Sequence, residues 1–152
     1  MLGNLLSYCT MYINMSPLTH NGVVSPEVYV DSVIFQLIDN ELAVLLTQRV
    51  DEPFKNMWAL PGGLNPAGET TYQAMERVLE EKTSLRAAQL GFVEQLYTFD
   101  TVTRDPRGHS ISVIYLGVSK NLTPRATNTS RNAKFFSVRH VPKLGFDHNE
   151  IV

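Results

Sequence analysis

The chain has 152 residues and a mass of 17.1 kDa, the size of one domain, and at 43% hydrophobic it can bury a sizeable core. With 13 basic and 15 acidic residues it carries a net charge of −2, which disfavours a strongly basic nucleic-acid binder and an acidic disordered chain alike, and 18% charged residues disfavour a charged coiled coil. The single cysteine, Cys9, permits no internal disulfide and closes no cysteine-built zinc site, so a reducing, cytoplasmic setting is expected.

Residues 1–27 read as tail and loop. The opening MLGNLLSYCTMYIN lacks a charged start and is interrupted by Asn4, Ser7, Thr10 and Asn14. A signal peptide is therefore disfavoured, and Met15 is a second candidate start. Asn14, Asn121 and Asn128 open Asn-x-Ser/Thr triplets, read as chance matches. No apolar run is long enough to span a membrane. Val28 to Leu37 is rich in β-branched and aromatic residues and reads as a mostly buried strand. Asp39-Asn40-Glu41 is a turn, and Leu42 to Gln48 completes a hairpin. Met57 to Leu60 is a short apolar piece, which Pro61-Gly62-Gly63 breaks, and Leu64 to Glu69 is a loop.

A helix follows. Thr70 and Gln73 have capping-box spacing, Tyr72, Met75 and Leu79 form an apolar stripe, and Ser84 stands where the helix should stop. Phe92 to Phe99 is a strand, Asp100 to His109 a polar loop, and Ile111 to Val118 a strand. Lys120 to Ala133 is polar and reads as a mobile loop, and Lys134 to Val138 is a short strand. Residues 147–152 read as the first turn of an unfinished C-terminal helix. Strands on both sides of one helix give an α/β class: a mixed sheet with helices packed on it.

The informative segment is Gly63 to Leu85, with its lead-in Trp58-Ala59-Leu60-Pro61-Gly62-Gly63. It resembles the Nudix box, the signature of the Nudix hydrolases. Gly63, Glu69, Arg77, Leu79, Glu81 and Leu85 match that pattern at its spacing, while Val78 and Lys82 replace glutamates and Ser84 replaces glycine. The resemblance implies a Nudix fold over residues 28–146, a mixed sheet sandwiched between helices. It also implies cleavage of a nucleoside diphosphate linked to a group X, with Mg or Mn as the family's cofactor. Magnesium takes oxygen ligands in an octahedron, and glutamates at i, i+3 and i+4 present theirs on one helix face.

Here that face is depleted. Of positions 78, 81 and 82 only Glu81 is a carboxylate. Glu81, the Gly62 carbonyl and Glu80 are the residual candidates for a metal, and Glu81 and Asp105 the catalytic candidates should hydrolysis survive. Loss of a general base typically costs roughly 10²- to 10⁴-fold in rate. A divalent ion beside the Lys82 ammonium is disfavoured by roughly 4 kcal/mol per unit charge at about 4 Å. That ammonium could instead neutralise a diphosphate, or snorkel past an apolar face widened by Val78. Glu81 could equally be a surface acid paired with Arg77, and Arg77 is expected to bridge Glu69 and hold the loop.

Between Pro106 and Phe146 there is no acidic residue and there are seven basic ones: Arg107, Lys120, Arg125, Arg131, Lys134, Arg139 and Lys143. Further segments look like one branch, the Nudix-related transcriptional regulators of NAD metabolism and their ADP-ribose-hydrolysing relatives. They are Leu46-Thr47-Gln48-Arg49, Glu52-Pro53-Phe54, Glu80 to Thr83, Glu94 to Phe99 and Arg104-Asp105-Pro106-Arg107-Gly108. The implied ligand is ADP-ribose or a similar compound. The expected phosphate contacts are Gly62, Gly63, Arg49, Lys82, Arg104 and Arg107, with Arg107 preferred to Arg49, and Phe54 or Tyr97 could stack on a base. Weak or absent hydrolysis is the leading expectation. Its rivals are an active Mg-dependent pyrophosphohydrolase and the sensing part of a regulator lacking its winged helix. No direct nucleic-acid contact is expected for this segment, and pairing into a homodimer stays open.

Overall fold

The computed structural model describes residues 19–152; the readings on residues 1–18, among them Cys9, Asn14 and Met15, lie outside them. The stretch expected as tail and loop contains a small antiparallel hairpin, β1 (Thr19–His20) and β2 (Val23–Val24), closed by Asn21 and Gly22 at positive φ.

The spine of the domain is β3 (Glu27–Ile38), a 12-residue strand. The turn at Asp39 and Asn40, both at positive φ, returns the chain as β4 (Glu41–Gln48), so the hairpin forms as expected. After β5 (Trp58–Ala59) comes β6 (Gly62–Leu64). The glycine pair was read as breaking a strand; it makes one, because Gly62 and Gly63 sit opposite Asp31 and Val30 of β3 where side chains have no room. A Cβ on Gly63 would fall 2.9 Å from Val78 Cγ2.

Helix α1 (Thr71–Thr83) precedes β7 (Phe92–Phe99), β8 (Ser110–Ser119), β9 (Asn132–Ser137) and the one-turn α2 (His148–Ile151). The main sheet runs β5-β4-β3-β8-β7, with β6 joined to β3 and β9 to β4. β3 and β8 are parallel from Glu27/Ser110 to Gln36/Ser119, and the other pairs are antiparallel. β7 is an edge strand and exposes Phe92, Leu96 and Tyr97.

The alternation of β3 decides what lies on each face. Val30 and Ile34 pack into the clusters that include Met75, Val78 and Leu79 of α1. On the other face Val33 packs with Leu60, Ile114 and Leu144, and with Ile151 and Val152. Tyr29 and Asp31 share that second face. Val78 is buried in the core, as the apolar reading of that position expected. Tyr72, assigned to the stripe, is exposed at the helix start, with its ring 6.0 Å from that of Tyr115.

Thr70 and Gln73 form the expected capping box, with Gln73 N–H on Thr70 Oγ1 at 3.2 Å and Thr70 N–H on Gln73 Oε1 at 2.9 Å. At the other end the last carbonyls need donors. Ser84 N–H takes Glu80 O, Thr127 and Thr129 hydroxyls donate to Glu81 O at 2.5 and 2.6 Å, Ser130 Oγ to Lys82 O at 2.6 Å, and Arg125 N–H to Thr83 O at 2.8 Å. The loop expected to be mobile is thus hydrogen-bonded to the end of α1.

Ser84 closes the helix in the left-handed region at φ 59, where a Cβ is penalised. Ser84→Gly, which returns the residue usual in the motif, is expected to stabilise the fold by about 1 kcal/mol. A higher urea midpoint with an unchanged m-value is the check.

Candidate functional site

A cleft of about 320 Å³ opens where β3, β4 and β6 meet the end of α1. Its lining includes Tyr29 and Asp31 of β3, Arg49 just past β4, Gly62 and Gly63 of β6, and Lys82 of α1. The 104–107 loop adds Arg104, Asp105 and Arg107, and the C-terminal segment adds Phe146 and His148. Six expected phosphate contacts, Gly62, Gly63, Arg49, Lys82, Arg104 and Arg107, therefore converge on one cavity, together with Asp105.

Glu80 and Glu81 do not line it. Both are exposed, and Glu81 lies 3.2 Å from Arg77 Nη1. Arg77 also grips Glu69 through Nε and Nη2 at 2.9 Å and donates to Leu64 O at 3.0 Å, so this pair staples the loop before the helix to its second turn. That hydrogen bonding holds Glu69 below the usual carboxylate range.

Lys82 points the other way. Its Nζ donates to Thr129 O at 3.1 Å, and no carboxylate touches it among the described residues. Burial first, and then Arg49, depresses its pKa. Arg49 donates to backbone carbonyls, Pro53 O at 2.7 Å and Asp51 O at 3.3 Å, rather than to a carboxylate, and its guanidinium lies 4.8 Å from the Phe146 ring centre. The other two arginines are engaged. Arg104 is bidentate to Asp147 at 2.9 and 2.8 Å, and Arg107 is clamped by Asp105 at 3.0 and 2.6 Å. Burial opposes ionisation of Asp105, but the Arg107 hydrogen bonds outweigh it and hold the carboxyl low. Arg107 also lies between the Tyr29 and Phe146 rings, 5.3 and 5.6 Å from their centres. Burial and a hydrogen bond to Glu27 push the Tyr29 hydroxyl up to about 12.

Of the two aromatic residues proposed for stacking, neither lines the cleft. Phe54 packs edge-on against Phe146 at 4.8 Å, and Tyr97 sits on β7 against Phe99. Of the seven basic residues between Pro106 and Phe146, only Arg107 reaches the cavity; Lys134, for example, covers Trp58 and Phe136.

Sequence reasoning missed Asp31, His148, Asp147, Tyr29 and Phe146. The signal for the β3 pair was present: Asp31 is the one charged residue inside a run otherwise fit for a core, and Tyr29 shares its face at i−2. His148 gave no such signal. It is buried, its Nδ1 accepts the Leu60 N–H at 2.9 Å, and its Nε2 lies 3.5 Å from Asp31 Oδ1.

The donor set is poor for a divalent metal. Position 78 is apolar and sealed in the core, position 82 is an ammonium, and Glu81 is spent on Arg77 outside the cleft. Among the described residues no three His, Cys, Asp or Glu side chains gather as a metal site. These residues do not fit magnesium.

The sequence pattern of the NUDIX domain matches residues 28–152. The chain is 37% identical over 128 residues to an ADP-ribose pyrophosphatase of Methanocaldococcus jannaschii, a match covering 84% of this chain and 71% of that protein. It is 30% identical over 133 residues to the ADPR responsive transcriptional repressor NtrR of Acinetobacter baylyi, covering 84% of this chain but 52%, about half, of the repressor. Among solved structures it superposes on the NUDIX domain of Shewanella oneidensis NrtR complexed with ADP ribose, with a TM-score of 0.79 and 30% identity over 94% of this chain and 92% of that one.

Burial pushes the His148 imidazole below its ordinary pKa, and its Nδ1 must stay unprotonated to accept the Leu60 N–H. The folded state therefore excludes a proton that the unfolded chain takes up below about pH 6.5. Stability is expected to be full above that value and to fall as pH is lowered through 6. His148→Asn should be less stable at pH 7.5 yet lose less between pH 7.5 and 5.5. Urea midpoints at the two pH values test both statements.

Proposed function

The chain belongs to the NUDIX domain family, and on that premise we propose that its cleft receives a nucleoside diphosphate linked to a group X, ADP-ribose first, with protein cations where relatives use a metal ion. The supporting observation is the division of labour at the end of α1: Lys82 enters the cleft while Glu81 turns to Arg77. ADP-ribose also recurs among the relatives, in a pyrophosphatase, a responsive repressor and a co-crystallised domain.

Among the described residues no contacting carboxylate cancels the charge of Lys82 or Arg49, so they are the leading diphosphate contacts. Phosphate oxygens would replace carbonyl partners by stronger, charge-assisted ones. Arg104 and Arg107 act through shape and field, since their guanidinium groups are already held by Asp147 and Asp105. Gly62 and Gly63 keep the β6 backbone close to the ligand. In this reading hydrolysis is weak or absent. Asp105, the remaining base candidate, would have to surrender its Arg107 clamp to take a proton.

A second reading, an active pyrophosphohydrolase releasing AMP and ribose 5-phosphate with Mg or Mn, is favoured by the 37% identity to a named ADP-ribose pyrophosphatase. A sensing role within a longer regulator is favoured by the repressor relative, of which this chain spans 52%. A cytoplasmic location and pairing into a homodimer accompany the leading reading.

Calorimetric titration with ADP-ribose is expected to give the same affinity with and without magnesium. Lys82→Ala and Arg49→Ala should each weaken it by roughly tenfold, the loss of one charge-assisted contact. Prompt formation of AMP in magnesium or manganese would transfer the assignment to the hydrolase.

A further inference from the structure

The residues from Gly145 to His148 tie up groups that an anion in the cleft could use. Asp147 takes Arg104 in a bidentate pair at 2.9 and 2.8 Å. That is the guanidinium edge a phosphate or sulfate would grip. Arg104 lines the cavity, yet its side chain is 3% exposed and its charge is cancelled. Phe146 covers the Arg49 guanidinium, 4.8 Å from its ring centre. A carboxylate of the protein's own chain thus stands where an external anion would bind.

This segment is seated by few contacts, and one of them depends on a proton. Gly145 N–H donates to Trp58 O at 2.9 Å, and Leu60 N–H donates to His148 Nδ1 at 2.9 Å. Between them Phe146 is held at φ 56, where a side chain is penalised, so lifting the segment relieves strain. Leu144 before it and Ile151 and Val152 after it pack into the Val33 cluster, which anchors both ends. Nδ1 accepts only while it carries no proton; once protonated, two donors face each other. The charged groups around the ring divide. Asp31 of β3, 3.5 Å from Nε2, and the adjacent Asp147 favour the imidazolium, whereas Arg104 and Arg49, together with burial, oppose it. Away from its seat the imidazole takes up a proton below about pH 6.5. The seated state is therefore full above that value and loses weight as pH falls below it.

We propose that residues 145–148 are a proton-keyed autoinhibitory strap: neutral His148 holds Asp147 on Arg104, and protonation of His148 lifts the strap and gives Arg104 to an incoming anion. The inference rests on the reading of the cleft as an anion site and adds a regulator to it.

The test uses the whole chain and sulfate, which keeps both its charges from pH 7.5 to 5.5. Calorimetric titration is expected to show sulfate binding roughly tenfold tighter at pH 5.5, the weight of one released charge-assisted contact. Over the same range the hydrogen-exchange protection of the Leu60 and Gly145 amides should fall by up to about tenfold per pH unit. It should also lie well below that of the β3 amides, the mark of opening without global unfolding. His148→Asn, whose side-chain carbonyl accepts at either pH, should show neither pH effect. Asp147→Asn should bind sulfate roughly tenfold tighter than the wild type already at pH 7.5. The strap is overturned by a sulfate affinity that does not rise on acidification, by an equal rise in folded His148→Asn, or by a Leu60 amide that exchanges only together with β3. Unchanged sulfate affinity in Asp147→Asn at pH 7.5 overturns it as well, whether or not His148→Asn folds. All four results leave the diphosphate reading standing, since that is measured with ADP-ribose at neutral pH. Failure of both sulfate and ADP-ribose to bind at either pH overturns the two together.

Discussion

The C-terminal carbonyls of α1 have to be paired, and the way they are paired organises the site. Four residues of one polar loop do it: Arg125 through its backbone, and Thr127, Thr129 and Ser130 through their hydroxyls. Unpaired carbonyls inside the protein are expensive, so the loop and the helix end form one unit. That unit carries Lys82 and brings Thr129 O within 3.1 Å of its ammonium. The cation is thereby fixed in the lining of the cleft by backbone geometry, with no acidic partner among the described residues to cancel it. Arg77, one turn earlier on α1, takes both nearby acids, Glu69 and Glu81, for the opposite purpose of holding the approach loop.

The cleft is charged but internally compensated. Asp105 with Arg107 and Asp147 with Arg104 form two tight pairs in its wall, and removing either partner would leave the other uncompensated. Such pairs give shape and rigidity more than attraction. The charge available to a ligand is what they leave over: Lys82 and Arg49 on one side, Asp31 on the other. The C-terminal segment braces the wall through three successive residues, of which Phe146 and His148 line it. Phe146 sits under Arg49, Asp147 holds Arg104, and His148 closes on Leu60 N–H and Asp31.

Much of this was legible in the residues, for identifiable reasons. The longer strands, the capped helix and its stop at Ser84 depend on local rules of turn, cap and alternation, and they appear where expected. The box residues converge because their spacing on one helix and one loop is itself the motif. What stayed hidden was set by tertiary context. Whether Arg104 is free depends on Asp147, 43 residues away in the chain, folding back onto the 104–107 loop. The glycine pair that looks like a breaker becomes a strand only beside β3. His148, in a stretch that looks like an ordinary helix start, acquires its meaning from an amide 88 residues earlier. Charge counting also misled in one respect: the basic stretch after Pro106 is spread around the fold, and one member reaches the site.

The single tryptophan gives the molecule a built-in optical gauge. Trp58 stands at the seam between the sheet and the C-terminal segment. Its carbonyl accepts the Gly145 N–H at 2.9 Å, its ring meets Phe136 edge-on, and the Lys134 ammonium lies 5.2 Å from the ring centre. Two residues further on, Leu60 borders the cavity. Indole emission shifts with local polarity and nearby charge, so unseating the segment would register as a change in colour and brightness, without any attached dye.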